Sequence, residues 1–254
     1  MKSNKIFILM STVLLLLLGG SIYLNAQLYQ QAKKYYFEVN ETRLDPFGLS
    51  EYPATLEQVS HDSGADQSKI RVVFFGDSRA AGWVSPNASG YEFINRGISS
   101  QTTAQTIQRF AYHVNPLQPD VVVIQVGVND LKTVALFPRR KDEIIANCRA
   151  NIQQIVDEAR RLGATVILTT ILPTGEVPLE RRPFWSDEID IAIQEVNAYI
   201  ATLAEDQVIV FDAFSLLAND QGKMVEAYRS DELHFNEQAY VLLNQKLVPL
   251  LDTI

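Results

Sequence analysis

Cysteine is almost missing from this chain. Cys148 is the only one in 254 residues, so no intramolecular disulfide can form and the core has to hold by packing alone. Histidine is nearly as rare: His61, His113 and His234 are the only three, which leaves few imidazoles for proton-transfer chemistry. Basic residues are in deficit, 22 Lys and Arg against 30 Asp and Glu for a net charge of −8, and they do not cluster. A nucleic-acid partner needs a concentrated cationic face and is therefore not expected. Repeats and low-complexity tracts are missing as well. Asp77, Asp130 and Asp231 fall in separate loops without a neighbouring set of His or Cys, so neither a metal nor another cofactor is expected.

What the sequence does have is a long apolar run at its start. Lys2 and Lys5 precede Ile6–Leu24, which carries no charge and is long enough to cross about 30 Å of hydrocarbon as a helix. Lysines on the short leading side predict a cytoplasmic tail and a translocated remainder, an asymmetry that Lys33 and Lys34 reduce. A cleaved signal peptide is the competing expectation, with Leu14–Leu18 as its apolar core and Gly19, Gly20 and Ser21 small enough for a peptidase. The run exceeds a usual signal core of about 7–15 residues, which favours an uncleaved anchor. No cysteine follows it closely, which excludes a lipid-modified N-terminal cysteine. Residues 1–25 thus read as anchor or signal peptide, with the folded part outside the cytoplasm, either tethered or, after cleavage, secreted or periplasmic.

Residues 26–68 read as stalk and linker. Ala26–Val39 mixes Leu28, Tyr29, Tyr35 and Tyr36 with Gln and Lys and predicts a helical stalk. Asp45-Pro46 and Phe47-Gly48 predict a turn, and the polar stretch His61–Ser68 a loop. The folded domain is expected over 69–254. Ile70–Phe75, apart from Arg71, is a β-branched and aromatic run, as in a strand covered on both faces. Tyr91–Asn95, Val121–Val126, Thr165–Thr170 and Val208–Phe211 are the other strand candidates. Helices are expected between them at Thr103–Val114, Glu143–Leu162, Asp187–Ala204 and Glu237–Leu250, the second ended by Gly163. Five strands separated by helices predict an α/β domain with a parallel sheet, whose sites form beyond the carboxyl ends of the strands.

Four short segments sit where such a site would form. Gly76-Asp77-Ser78-Arg79 follows the first core strand, where a serine hydroxyl becomes a nucleophile if a base lies within hydrogen-bond reach; an ordinary helix cap is the plainer reading of this segment alone. Asp231-Glu232-Leu233-His234 precedes the last helix, and a spacing of three lets one loop deliver an imidazole and the carboxylate that orients it. His61 falls in the linker and His113 at a helix end on the sheet's amino side, which leaves His234 at the right edge. Gly127-Val128-Asn129-Asp130 follows the third strand, and its carboxamide can donate to an oxyanion. Gly97, in Asn95-Arg96-Gly97-Ile98-Ser99, follows the second strand and can add a backbone donor, or simply make a turn.

In this order and strand context the four segments resemble the blocks of the SGNH hydrolase (GDSL-like lipase/esterase) family, named for Ser, Gly, Asn and His. The resemblance runs from about Lys69 to the C-terminus. It implies a three-layer α/β/α sandwich with a five-stranded parallel sheet of flavodoxin-like kind, and a serine esterase that hydrolyses acyl esters through a covalent acyl-enzyme without a metal. In that scheme Ser78 attacks, His234 acts as base and then acid, Asp231 orients His234, and the oxyanion hole is formed by the Ser78 and Gly97 amides and the Asn129 side chain. Arg79 stands where many relatives carry Leu, which bears on substrate preference. The G-x-S-x-G elbow of α/β-hydrolases is missing around Ser78.

The substrate expected is a small-molecule or carbohydrate ester. Arg181, Arg182 and Trp185 lie in the loop after the fourth strand and could contact an acidic or sugar-like substrate, although a solvated loop is the simpler reading. Trp83 either lines the pocket or packs. Cys148 falls on the apolar stripe of a helix and reads as a small hydrophobe. Two other functions stay open: a membrane-anchored O-acyltransferase passing the same acyl group to an envelope polysaccharide, and a non-catalytic binding module.

Overall fold

The computed structural model describes residues 2–52 and 69–254. His61 and the expected His61–Ser68 loop lie outside the described residues. The chain forms two compact units, one ending at Pro46 and one running Phe47–Ile254.

The first unit is essentially one helix, α1 (Lys2–Leu44), 43 residues without a break. At 1.5 Å per residue it is about 65 Å long. The expected division between anchor and stalk near residue 25 is not a structural boundary. Gly19 and Gly20 sit inside the helix, because two glycines weaken a long helix without ending it. Leu14–Leu18 are each more than half exposed, so no part of this unit buries them. The helix is long and apolar enough to cross a membrane, a property shared with signal sequences.

The second unit is built around five parallel strands. In chain order its elements are β1 (Ile70–Gly76), α2 (Ser78–Ala81), β2 (Tyr91–Gly97), α3 (Thr103–Gln108), α4 (Phe110–His113), β3 (Val121–Gln125), α5 (Val128–Leu131), α6 (Lys141–Arg161), β4 (Thr165–Thr169), α7 (Glu188–Ala201), β5 (Val208–Phe211), α8 (Ala213–Leu217) and α9 (Glu237–Leu251). The strand order is β2-β1-β3-β4-β5, all pairs parallel. This is the doubly wound flavodoxin-like order.

Alternate residues of the strands feed two cores. Val73, Phe75, Val122, Ile124, Val166 and Leu168 pack on one face against α3, α4, α6 and α7. Val72, Phe74, Val121, Val123 and Ile167 pack on the other against Trp83, α8 and α9. Both faces are covered, which explains why Val72–Phe75 of β1 and Val121–Ile124 of β3 read as apolar runs rather than alternating ones. Burying each such side chain contributes about 1.5–3 kcal/mol.

The order reverses between β1 and β3. The chain leaves β1 toward β2 on one side and β3 on the other, so a crevice opens beyond their carboxyl ends, the place where ligands bind in sheets of this kind. The glycines ending β1 and β2, Gly76 and Gly97, are paired in register, and Gly76 is also paired with Gln125 of β3.

The domain begins earlier than expected. Phe47–Tyr52, read above as turn and linker, packs on the loop after β2. Gln101 Nε2 donates to Phe47 O at 2.9 Å and the Tyr52 hydroxyl to Gly97 O at 2.5 Å, while His113 Nε2 lies 3.2 Å from Leu49 O. The Arg96 guanidinium stacks 4.6 Å over the Tyr52 ring. A domain begun at Lys69 loses all of these, and at about 1 kcal/mol per hydrogen bond its melting temperature is expected to fall roughly 5–10 °C below that of a domain begun at Phe47. Differential scanning fluorimetry on the two truncations measures this; equal melting temperatures would show Phe47–Tyr52 to be a passive linker.

Candidate active site

The turn that carries Ser78 depends on how closely β1 and β3 run at their ends. A Cβ on Gly76 would lie 1.9 Å from the Gln125 carbonyl oxygen, so only glycine fits there. The Asp77 N–H donates to that same oxygen at 3.1 Å. Asp77 Oδ1 then accepts the Arg79 N–H at 2.9 Å and caps α2, a single turn whose first residue is Ser78.

His234 arrives on the loop before α9. Ser230 and Asp231 N–H groups both donate to the His234 carbonyl, at 2.9 and 3.3 Å, which closes the loop on itself. Asp231 Oδ1 accepts from the Leu233 and His234 N–H groups, each at 2.7 Å, and Oδ2 lies 2.8 Å from His234 Nδ1. Burial pushes the Asp231 carboxyl up, but the hydrogen bonds from the His234 ring and from these two N–H groups outweigh it and hold the pKa below the ordinary carboxylate value. Asp231 is thus anionic at neutral pH, and the stability it contributes is present there and lost as pH falls through its lowered pKa. An ionised carboxylate can only accept, so in the neutral ring Nδ1 carries the proton and Nε2 presents a lone pair. That lone pair faces Ser78, whose Oγ lies 3.0 Å away. The structure therefore brings Ser78, His234 and Asp231 into one hydrogen-bonded row.

Asn129 stands across the crevice on α5. Gly127 before it has φ 112°, a conformation open to glycine, and turns the chain sharply out of β3. Asn129 is buried, and its Nδ2 donates to the Gln101 carbonyl at 3.0 Å, which uses one of its two hydrogens. Gln101 is held in turn by Arg109, whose Nε donates to Gln101 Oε1 at 2.5 Å. The other guanidinium nitrogens of Arg109 donate to Arg96 O and Gly76 O, both at 2.8 Å. The single helix expected over Thr103–Val114 is broken at Arg109 into α3 and α4. The side chain at the break ties the ends of β1 and β2 together. Neither Gln101 nor Arg109 was recognisable in the sequence, where an Arg between Gln and Phe on a helix looks solvent-facing.

The N–H of Gly97, expected as an oxyanion donor, donates here to Asn95 Oδ1 at 2.8 Å. A Cβ at Gly97 would lie 2.1 Å from Ala81 N, so the glycine is needed for the close approach of β2 to α2. Three residues on, Ser100 holds φ 66°, unusual for a side chain of its kind.

The remaining candidates sort by burial. Trp83 is buried, donates to Asn244 Oδ1 at 2.8 Å and packs beside Phe74 and Tyr240. Cys148 is buried and its thiol pKa is pushed well up, first by burial and then by Asp130. His113 is buried, with its Nδ1 3.4 Å from Arg109 Nη1. Asp130 accepts from the Thr103 N–H and hydroxyl at 2.8 and 2.6 Å. Arg181 pairs with Glu232, a buried carboxylate that sequence reasoning passed over. Arg182 and Trp185 line a cavity of about 350 Å³ with Glu176, Val177, Ser186 and Asp187; its walls include none of Ser78, His234 and Asp231. Arg79 does not face a substrate, being fully buried, which sets aside the link to substrate preference.

Asp77 is the odd group of the set. It is fully buried and its Oδ2 has no hydrogen-bond partner. Burial raises its pKa from 3.8 to about 6, against the pull of Arg79. Between these values the unfolded chain has released the proton that the fold retains, so rising pH costs stability, on the order of 3 kcal/mol for two units. Asp77→Asn keeps the acceptor for Arg79 and removes the titration. The variant is expected to match the parent near pH 4 and to be the more stable one above pH 6, a difference that thermal melts across this range measure; a constant difference at every pH would place the titration elsewhere.

With this geometry in view, the matches to known proteins are specific. A protein-family model described as the GDSL-like Lipase/Acylhydrolase family matches residues 74–242. The chain belongs to this family. It is a hydrolase. A solved Bacteroides fragilis structure assigned as an acylhydrolase is 26% identical, covers 79% of this chain and 97% of its own, and superposes with a TM-score of 0.57. A GDSL-like lipase from Bacteroides thetaiotaomicron, 24% identical, covers 79% and 98% at a TM-score of 0.58. An acetyl xylan esterase, 23% identical, covers 71% and 99% at 0.57. The last two share the fold. Among curated proteins no sequence matches significantly. As a GDSL-like acylhydrolase the chain fits the architecture seen here, with Ser78 and His234 both inside the matched range.

Proposed function

We propose that this GDSL-like acylhydrolase cleaves carboxylic esters by nucleophilic catalysis, with Ser78 as nucleophile, His234 as general base and acid, and Asp231 as the group orienting His234. One observation carries the reading: the row with Ser78 Oγ 3.0 Å from His234 Nε2 and Nδ1 2.8 Å from Asp231 Oδ2, within the reach an activated serine requires. Ser78 Oγ attacks the ester carbonyl carbon while its proton passes to Nε2. The oxyanion accepts from the Ser78 N–H and from the second Nδ2 hydrogen of Asn129; Gly97 would have to leave Asn95 to join them. Collapse expels the alcohol, which takes the proton from Nε2, and leaves Ser78 acylated. Water then repeats the sequence and releases the acid.

The substrate class we assign is an acylated carbohydrate or another small ester. Supporting this, the side chains of His234 and Asp231 are 44% and 46% exposed, so the row opens to solvent rather than to an apolar tunnel. The loop carrying Arg182 and Trp185 is tied by Arg181 to Glu232 of the His234 loop, and its cavity combines one indole with charged and hydroxyl groups, a lining suited to a sugar. Easy water access favours hydrolysis over transfer to a second alcohol. For α1 we propose an uncleaved anchor that crosses the membrane and holds the catalytic domain, residues 47–254, on the outer side.

The test uses the full chain in detergent. Acetylated glycans and p-nitrophenyl acetate are expected to release free acetate, and a fluorophosphonate probe to label the parent but not Ser78→Ala. Equal labelling of the two would remove the esterase reading and favour a binding module. Acetate appearing mainly on an added glycan would replace hydrolase with acyltransferase.

A further inference from the structure

The geometry points to Arg79 as the positioning residue that sets the register between the Ser78 turn and the His234 loop, an inference that rests on the role proposed for Ser78 and His234. Arg79 follows Ser78 directly, yet its side chain turns inward and is fully buried. Its Nε donates to Leu233 O at 2.9 Å, Nη1 to Leu172 O at 2.7 Å and Nη2 to Pro173 O at 3.2 Å. The guanidinium also lies 5.4 Å from the Phe235 ring centroid. One side chain thus bonds two loops that are far apart in sequence, the loop after β4 and the loop before α9, to the strand exit that carries the nucleophile.

The important contact is the one to Leu233. The peptide joining Leu233 to His234 is held at both ends. Its carbonyl accepts from Arg79 Nε, and its N–H donates to Asp231 Oδ1 at 2.7 Å. With that peptide fixed, the His234 Cα is fixed relative to the Ser78 backbone, and the ring reaches Ser78 without searching. Arg79 is itself held from the main-chain side, because its N–H donates to Asp77 Oδ1 at 2.9 Å and its carbonyl accepts the Tyr240 hydroxyl at 3.0 Å. The loop after β4 is bonded onward, with the Gly175 N–H donating to Glu232 O at 2.9 Å. A planar fork is suited to this because its donors sit on three separate nitrogens and point in fixed directions at several carbonyls; an ammonium has its three donors on one atom at the end of a flexible stem and does not match that spread.

A displacement of about 1 Å between reacting groups can cost about 10²-fold in rate. Arg79→Leu and Arg79→Lys are compared with the parent, as full chains in detergent, for kcat and KM on p-nitrophenyl acetate, the rate of fluorophosphonate labelling, and melting temperature. The expected result for Arg79→Leu is a fall of about 10²-fold in kcat with KM nearly unchanged, and a parallel fall in labelling rate, at a temperature where the variant is fully folded. Arg79→Lys keeps the charge and most of the volume and is expected to lose about 10-fold, so it keeps the test open should Arg79→Leu not fold. A third variant, Arg79→Ala, is expected to recover part of its labelling rate when guanidinium ion is added at submolar concentration, which a purely structural defect would not do. A folded Arg79→Leu or Arg79→Lys with the parent's kcat and labelling rate overturns the assignment. Ser78→Ala is assayed alongside: if it turns over normally, the reading of the site itself fails, whereas an inactive Ser78→Ala beside an unaffected Arg79→Leu removes the positioning role alone.

Discussion

His234→Ala is expected to lower kcat on an acyl ester by about 10⁴-fold or more while leaving the fold intact. The two halves of that result have separate causes. The imidazole is 44% exposed and its ring nitrogens bond only to Ser78 and Asp231, so its loss empties no core position. Without a base, however, the serine proton has nowhere to go at neutral pH, and removal of one member of such a row typically costs 10⁴- to 10⁶-fold in kcat. KM should move little, since the ring binds chiefly the proton being transferred. Steady-state kinetics alongside circular dichroism distinguish this from unfolding. A folded His234→Ala enzyme within about tenfold of the parent would mean that another group serves as base.

Asn129→Ala is expected to cost about 10²- to 10³-fold in kcat, again with KM nearly unchanged, because in the proposed mechanism the carboxamide donates to charge that exists only in the transition state. This variant should also be less stable. Asn129 is buried, and the Gln101 carbonyl that accepts its Nδ2 would lose its donor, at a cost of about 1–3 kcal/mol. The combination is diagnostic. A stability loss without a kinetic one, measured by thermal melts and by kcat at a temperature well below melting, would make Asn129 a strut for Gln101 and nothing more.

Much of this architecture is legible from residue patterns. The strands showed because a parallel sheet covered on both faces needs side chains such as Val72–Phe75 and Val121–Ile124, all buried, and no polar alternation interrupts them. Ser78, Asn129 and His234 showed because each follows the pattern that places it at the sheet's carboxyl edge. What did not show depends on long-range geometry. Arg79 and Arg109 carry the charge of surface residues, and nothing local reveals that each will donate to carbonyl oxygens from two or three segments. Gly97 was noticed because it follows a strand, whereas the steric constraint that Ala81 places on it did not show. Phe47–Tyr52 read as turn and linker because of the pairs Asp45-Pro46 and Phe47-Gly48, and its partners Gly97, Gln101 and His113 lie some fifty residues on. The continuity of α1 through Gly19 and Gly20 agrees with Ile6–Leu24 read as one apolar helix, but nothing local showed that the same helix runs on unbroken to Leu44.

The account stands on Ser78 becoming covalently acylated. Mixing the full-length enzyme with a chromogenic ester, quenching in acid within the first turnover and mapping the digested protein by mass spectrometry reads this directly. The account predicts an acyl mass increment confined to the peptide containing Ser78, absent from Ser78→Ala and formed far more slowly by His234→Ala. Turnover of the same ester with the increment on a different residue, or with none on Ser78 under conditions where deacylation is slow, would contradict it.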